Sequence, residues 1–222
     1  MEYKHTLPAD IEKTSMQIIS GELKEKGIVI PENHLAVVRR VIHTTADFDY
    51  AENLTFTENA VERGIEALKS GAVIITDTNM ALSGISKPSL NKLSAQAHCF
   101  MADPEIARMA KEDHTTRAAA SMKYACGQYP QAVFAIGNAP TALIYLSEQL
   151  RGGLRPSLIV GVPVGFVNVV ESKEEILELC RQYDVPAIIA RGRKGGSNVA
   201  ATICNALLYT AADTLDPEKR GW

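Results

Sequence analysis

The chain has 222 residues, 46% of them hydrophobic and 22% charged, a globular balance that excludes a disordered tail protein or a collagen-like repeat. Lys and Arg number 23 against 26 Asp and Glu, so the net charge of −3 argues against general binding of nucleic acid or anionic membrane. A chain of this length can bury most of its surface in one large domain, 1–222, without a disulfide or metal staple.

The first half reads as helical. Pro8 to Lys26 starts with proline and acidic residues and stops at Gly27, with Ile11, Ile18, Ile19 and Leu23 as an apolar stripe. Ser15 falls on that stripe, either as a serine bonded back to its own helix or as a hydroxyl facing a ligand. A second helix is expected over Asn33 to Thr44, with Leu35, Val38, Val41 and Ile42 inward and His43 near its end. A third runs from Thr57 to Ser70 and is stopped by Gly71. From about residue 71 the pattern changes. Short Val- and Ile-rich runs at Ala72–Thr76, His98–Met101, Ala132–Ile136, Leu158–Val162 and Ala187–Ala190 alternate with helical stretches near 87–95, 104–126, 140–151, 173–183 and 197–212. Strands apolar on both faces require a parallel sheet covered on both sides. The expected fold is therefore an α/β three-layer sandwich with a mainly parallel sheet (about 71–212), preceded by a helical N-terminal region (about 8–70).

No run spans a bilayer: the apolar stretch Leu158 to Val170 is interrupted by Gly161, Pro163, Gly165 and Asn168. The N-terminus has no apolar leader core, and Cys99, Cys126, Cys180 and Cys204 form no CxxC pair. Free thiols in a reducing cytoplasm, and no metal site, are the expectation.

Ligands of such sheets bind beyond the carboxyl ends of the strands. Four polar or glycine-rich segments fall there: Asp77-Thr78-Asn79-Met80, Gly137-Asn138-Ala139-Pro140-Thr141-Ala142, Gly161-Val162-Pro163-Val164-Gly165-Phe166 and Arg191-Gly192-Arg193-Lys194-Gly195-Gly196-Ser197. The last combines glycines, which let backbone N–H groups approach an anion, with three cations and the start of a helix. It is neither a Walker A loop nor GxGxxG, so carboxylates suit it as well as phosphates, and a tight turn with solvated cations is equally compatible. Asn138 to Thr141 can cap a helix, contact substrate, or do both. Arg117, beside Ala118, Ala119 and Ala120, is either a surface arginine or a reach over a close-packed helix. A lone histidine such as His43 is more often a cap or core residue than a catalyst.

Taken in order, these pieces resemble the precorrin-8X methylmutase family, including its cobalt-precorrin-8 branch. The resemblance covers nearly the whole chain. It rests on the Ser15 helix, Arg39-Arg40-Val41-Ile42-His43, Asp77-Thr78-Asn79-Met80, Thr116-Arg117-Ala118-Ala119-Ala120, Ala135 to Leu143, Val162 to Val167 and Arg191 to Ser197. It implies a flavodoxin-like fold and an isomerase of cobalamin biosynthesis. That isomerase moves a methyl group from C11 to C12 of a corrin-type ring, giving hydrogenobyrinic acid or its cobalt form, cobyrinic acid. It implies His43 as proton donor and acceptor. It also implies Ser15, Asp77, Asn79, Arg117, Gly137, Asn138, Ala139, Thr141, Arg191, Arg193, Lys194, Gly195, Gly196 and Ser197 as substrate-binding residues. No cofactor or metal is implied; the partners are the tetrapyrrole and a second copy of the chain, in a homodimer with its site near the interface. Thr44-Thr45-Ala46-Asp47, where the family varies, receives no role. Two other readings stay open at this stage. One is a non-catalytic corrinoid carrier, although the DxHxxG cobalt-ligating motif is missing. The other is a sugar-phosphate or nucleotide enzyme using the Arg191–Ser197 loop.

Overall fold

The computed structural model describes residues 7–220; residues 1–6 and 221–222, part of the expected 1–222 domain and of the N-terminal segment read above, lie outside the described residues. Helix α1 (Pro8–Glu25) opens on Pro8 with Asp10 in its first turn, where the helix dipole favours an anion. It ends before Gly27, which takes the left-handed φ of 67°. Helix α2 (Glu32–Thr45) ends at Ala46, also left-handed, and carries His43 in its last turn. A short α3 (Tyr50–Asn53) leads into β1 (Leu54–Phe56), followed by α4 (Ala60–Lys69). Then come β2 (Ile74–Thr76), α5 (Asn79–Gly84), α6 (Lys87–Lys92), β3 (Ala97–His98), α7 (Pro104–Glu112) and α8 (Arg117–Gln128). The chain continues through β4 (Val133–Ile136), α9 (Pro140–Arg151), β5 (Leu158–Gly161), α10 (Val169–Gln182), β6 (Ala187–Ala190) and α11 (Ser197–Ala211), and ends in a 3-10 turn at Pro217–Arg220.

The sheet runs β1-β6-β5-β4-β2-β3, and every pairing is parallel except β1 with β6. Counting the parallel strands alone in chain order, this is the 2-1-3-4-5 winding of flavodoxin-like sheets. Side chains alternate faces. Val133, Ala135, Leu158, Val160, Ile188 and Ala190 share a core with Val38 and Val41 of α2, Leu68 of α4 and Val199, Ile203 and Leu207 of α11. Phe134, Ile136, Ile159 and Ile189 pack instead with Met122 of α8, Leu143 and Leu146 of α9 and Ile176 of α10. The sequence expectation of a three-layer sandwich holds. The helices before residue 70 are one of its covering layers, since α2 and α4 share a core with α11.

Several elements differ from expectation: α3 and α5 were not foreseen, α10 starts at Val169 and not near 173, and four further differences have a visible cause. Strand β1 was not foreseen; three residues are too few to show a period. Helix α4 starts at Ala60, not Thr57, because Thr57 extends the β1 pairing: its N–H donates to the Ala187 carbonyl and its Oγ1 accepts from the Ala187 N–H. The expected run 104–126 is two helices, α7 and α8, separated by His114 at φ 50°, with Thr116 capping α8 by accepting from the Ala119 N–H. Strand β3 pairs only at Ala97 and His98, and the chain turns away before Met101.

Candidate active site

The winding reverses direction between β2 and β4, and their carboxyl ends flank the crevice where such folds bind ligands. Asp77, fully buried just after β2, takes the N–H groups of Gly137 (2.8 Å), Asn138 (2.8 Å) and Ala139 (2.7 Å) after β4. Burial pushes the Asp77 carboxyl up, against three amide bonds that favour its ionised form. Asp77 therefore builds the crevice wall, and the three amides are engaged by it, so the expected backbone cradle at 137–139 is occupied from within the protein. What this segment offers outward is the exposed Asn138 side chain.

The other wall is the β6–α11 loop. Thr78 Oγ1, which caps α5 through the Ala81 N–H, lies 2.8 Å from Ser197 Oγ at the start of α11. Asn79 is exposed beside it. Two glycines are demanded by close backbone approach: a Cβ on Gly195 would sit 2.1 Å from the Val162 carbonyl oxygen, and one on Gly137 would sit 2.7 Å from the Ser197 Cα. Gly196 has φ 141° and offers α11 no side-chain cap.

His43 joins this edge through its neighbours. Thr44 Oγ1 lies 3.0 Å from Thr202 Oγ1, in the second turn of α11, and Lys194 Nζ reaches both Asp47 and Asp49 at 2.6 Å. The imidazole is half-buried, and its Nδ1 is 2.7 Å from Ser15 Oγ. Ser15 thus faces a partner on α2, not its own helix. The Nε2 atom has no protein partner among the described residues. A hydroxyl can donate or accept, so it supports both neutral tautomers: one presents Nε2–H, the other a bare Nε2 lone pair.

The cations of the rim divide into two pairs. Arg191 is held by Glu174, and Lys194 by Asp47 and Asp49, whose carboxylates raise the ammonium pKa. Arg117 and Arg193 are exposed and have no ion pair among the described residues; Arg193 lies over the Phe166 ring at 5.5 Å. Arg117 opens α8, tied to α9 by the Thr116–Thr141 hydroxyl contact of 2.8 Å. Apolar side chains stand exposed at the same mouth: Met80 at 72%, Phe166 at 83% and Val167 at 74%. The rim thus offers an open, apolar surface edged by two free guanidiniums. Cavities of about 540 Å³ at the amino ends of the strands and about 440 Å³ beside α6 touch neither His43 nor Arg193.

A model of the precorrin-8X methylmutase family matches residues 10–210. The chain belongs to this family. It is 43% identical to the cobalt-precorrin-8 methylmutase of Salmonella typhimurium, covering 91% of this chain and 95% of the relative. It is 38% identical to the precorrin-8X methylmutase of Pseudomonas aeruginosa, covering 89% of this chain and 93% of the relative. A crystal structure of precorrin-8X methyl mutase from Thermus thermophilus superposes with a TM-score of 0.81 at 37% identity, covering 91% of this chain and 98% of that one. The protein is a methylmutase, an isomerase of cobalamin biosynthesis, and relatives named as methylmutases favour catalysis over the carrier reading. No helix among the described residues is long and apolar enough to cross a membrane, and no group of three or more metal-ligating side chains occurs there. The four cysteines are free thiols.

Sequence reasoning overlooked one residue of this edge of the sheet. Lys173 is fully buried, and its ammonium donates to the carbonyls of Gly192 (2.9 Å) and Lys194 (2.8 Å). Burial lowers its pKa to about 8. The signal was present: Val169, Lys173, Ile176 and Cys180 share one buried helical stripe, where a lysine is out of place.

Proposed function

We propose that the chain moves the methyl group on C11 of precorrin-8X, or of its cobalt form, to C12, with His43 giving and recovering the proton that assists the shift. The C11–methyl bond breaks as the C12–methyl bond forms, so nothing is gained or lost and no co-reactant is needed. The observation that carries this reading is the Ser15–His43 hydrogen bond of 2.7 Å: with Nδ1–H donating to the Ser15 hydroxyl, Nε2 is left free to carry the proton in the imidazolium and to take it back once it has been given. Arg117, Arg193 and the Asn138 amide bind carboxylates of the macrocycle, and Phe166, Val167 and Met80 cover its apolar face. Arg191 and Lys194, already paired, act through charge and loop shape. Catalysis then consists of holding the ring in a reactive shape and supplying one proton.

His43→Ala should fold and bind hydrogenobyrinic acid as the parent does, yet convert the C11-methylated precursor about 10²- to 10⁴-fold more slowly by absorption spectroscopy. Full turnover in that variant removes His43 from the mechanism.

The working form is a homodimer in the cytoplasm. Leu7, just before α1, and Ile11 and Ile18 on it are 65%, 47% and 55% exposed and lie on one side of the helix near Ser15. A second copy laid on that stripe also walls in a rim that is open in one chain. Sedimentation equilibrium should give twice the chain mass, and Ile11→Glu with Ile18→Glu should halve it; a monomer in the parent protein refutes the dimer.

A further inference from the structure

We propose that Lys173 is a positioning residue for substrate binding: its ammonium fixes the two peptide carbonyls flanking Arg193 and so holds that guanidinium out over the rim. The inference rests on the reading of the rim as a polyacid site. The β6–α11 loop needs such a fixture. Gly192 has φ 73° and Gly196 φ 141°, and neither glycine has a side chain to anchor it. Three consecutive carbonyls of the loop are nevertheless held, two of them by the buried ammonium. Those of Gly192 and Lys194 accept from Lys173 Nζ, and that of Arg193 accepts from the Gly165 N–H at 3.3 Å. With the peptides so held, the Arg193 side chain is turned out, against the exposed Phe166.

A neutral side chain could bridge two carbonyls with less desolvation. Lys173 instead carries a buried charge, and among the described residues its hydrogen-bond partners are those two carbonyls. Hydrogen bonds from a charged donor are stronger than those from a neutral one, so they hold the loop in shape against the like-charge repulsion among Arg191, Arg193 and Lys194, to which the ammonium itself adds.

A double-mutant cycle separates this role from a general structural one. Hydrogenobyrinic acid would be titrated spectroscopically into the parent protein, Lys173→Met, Arg193→Ala and the double variant, each shown to be folded by its thermal melt. Arg193→Ala should weaken binding about tenfold and Lys173→Met about three- to tenfold. The double variant should be no weaker than Arg193→Ala within twofold, since Lys173 acts through Arg193. If Lys173→Met proves unfolded, Lys173→Gln replaces it in the same cycle. Equal weakening by the lysine change in both backgrounds overturns the positioning role and leaves the rim reading intact. An unaltered affinity in Arg193→Ala overturns both.

Discussion

Asp77 places a fully buried carboxylate beneath three successive amides, and both of its oxygens accept. Replacing it with alanine leaves three donors without their acceptor, the Gly137 N–H buried and those of Asn138 and Ala139 part-buried, each bond worth about 1 kcal/mol. Asp77→Ala should therefore lose about 3 kcal/mol in urea unfolding; an unchanged midpoint would mean that the carboxylate does not hold the β4–α9 turn. The sequence showed that Asp77 stands at the right edge but not which way it faces. An acidic residue after a strand reads equally well as a ligand contact or as a peg for the next loop. The same ambiguity hid the division among the rim cations. Glu174, Asp47 and Asp49 are remote in sequence from the arginines and lysine they neutralise or spare, so only the folded chain distinguishes Arg193 from its neighbours. Ser15 was the converse case: its hydroxyl is not bonded back to its own helix but lies 2.7 Å from His43 Nδ1, a protein partner that neither choice had named.

Helices with a clear period were legible nearly to the residue, as at Pro8 and Pro140, where proline fits a first turn whose N–H groups lack partners anyway. Elements set by distant partners were not legible. β1 is defined by its register with β6 (Leu54 opposite Ala190), more than a hundred residues away in the chain. The expected α1 stripe is also two surfaces. Ile19 and Leu23 are buried, whereas Ile11 and Ile18 face out. An apolar period reveals that a helix has an apolar side and not what covers it, and here one surface meets the core while the other stands exposed.

Across the whole molecule, the first helix and the final 3-10 turn are clasped together. Glu12 of α1 receives Arg40 of α2 and Arg220 of the final 3-10 turn, both at 2.7 Å, and Tyr209 lies between the two guanidiniums at 4.7 and 4.0 Å. Burial alone would push the Glu12 carboxyl up, but the two arginines outweigh it and hold it below the usual carboxylate range. The folded state thus binds the Glu12 proton less readily than the unfolded chain, so stability rises with pH through that range. The contribution is complete above about pH 5 and is lost as pH falls through the folded value. With side-chain exposures of 14% for Glu12 and 8% for Arg220, the clasp lies between an exposed ion pair and a buried one, and Glu12→Gln should cost about 2 kcal/mol at pH 7. The gap between parent and variant in urea unfolding should narrow from pH 7 to pH 4; a gap independent of pH would show that the carboxylate charge contributes nothing. Because Ser15 lies one turn beyond Glu12, the clasp also seats the helix that carries the partner of His43.

The two outermost strands are only three and two residues long, β1 running against its neighbour and β3 leaving the sheet after His98. Each offers an incoming chain too few free backbone groups to template another strand, so the ladder is terminated on both flanks. Edge-to-edge growth into open-ended fibres is thereby disfavoured at either flank of the sheet.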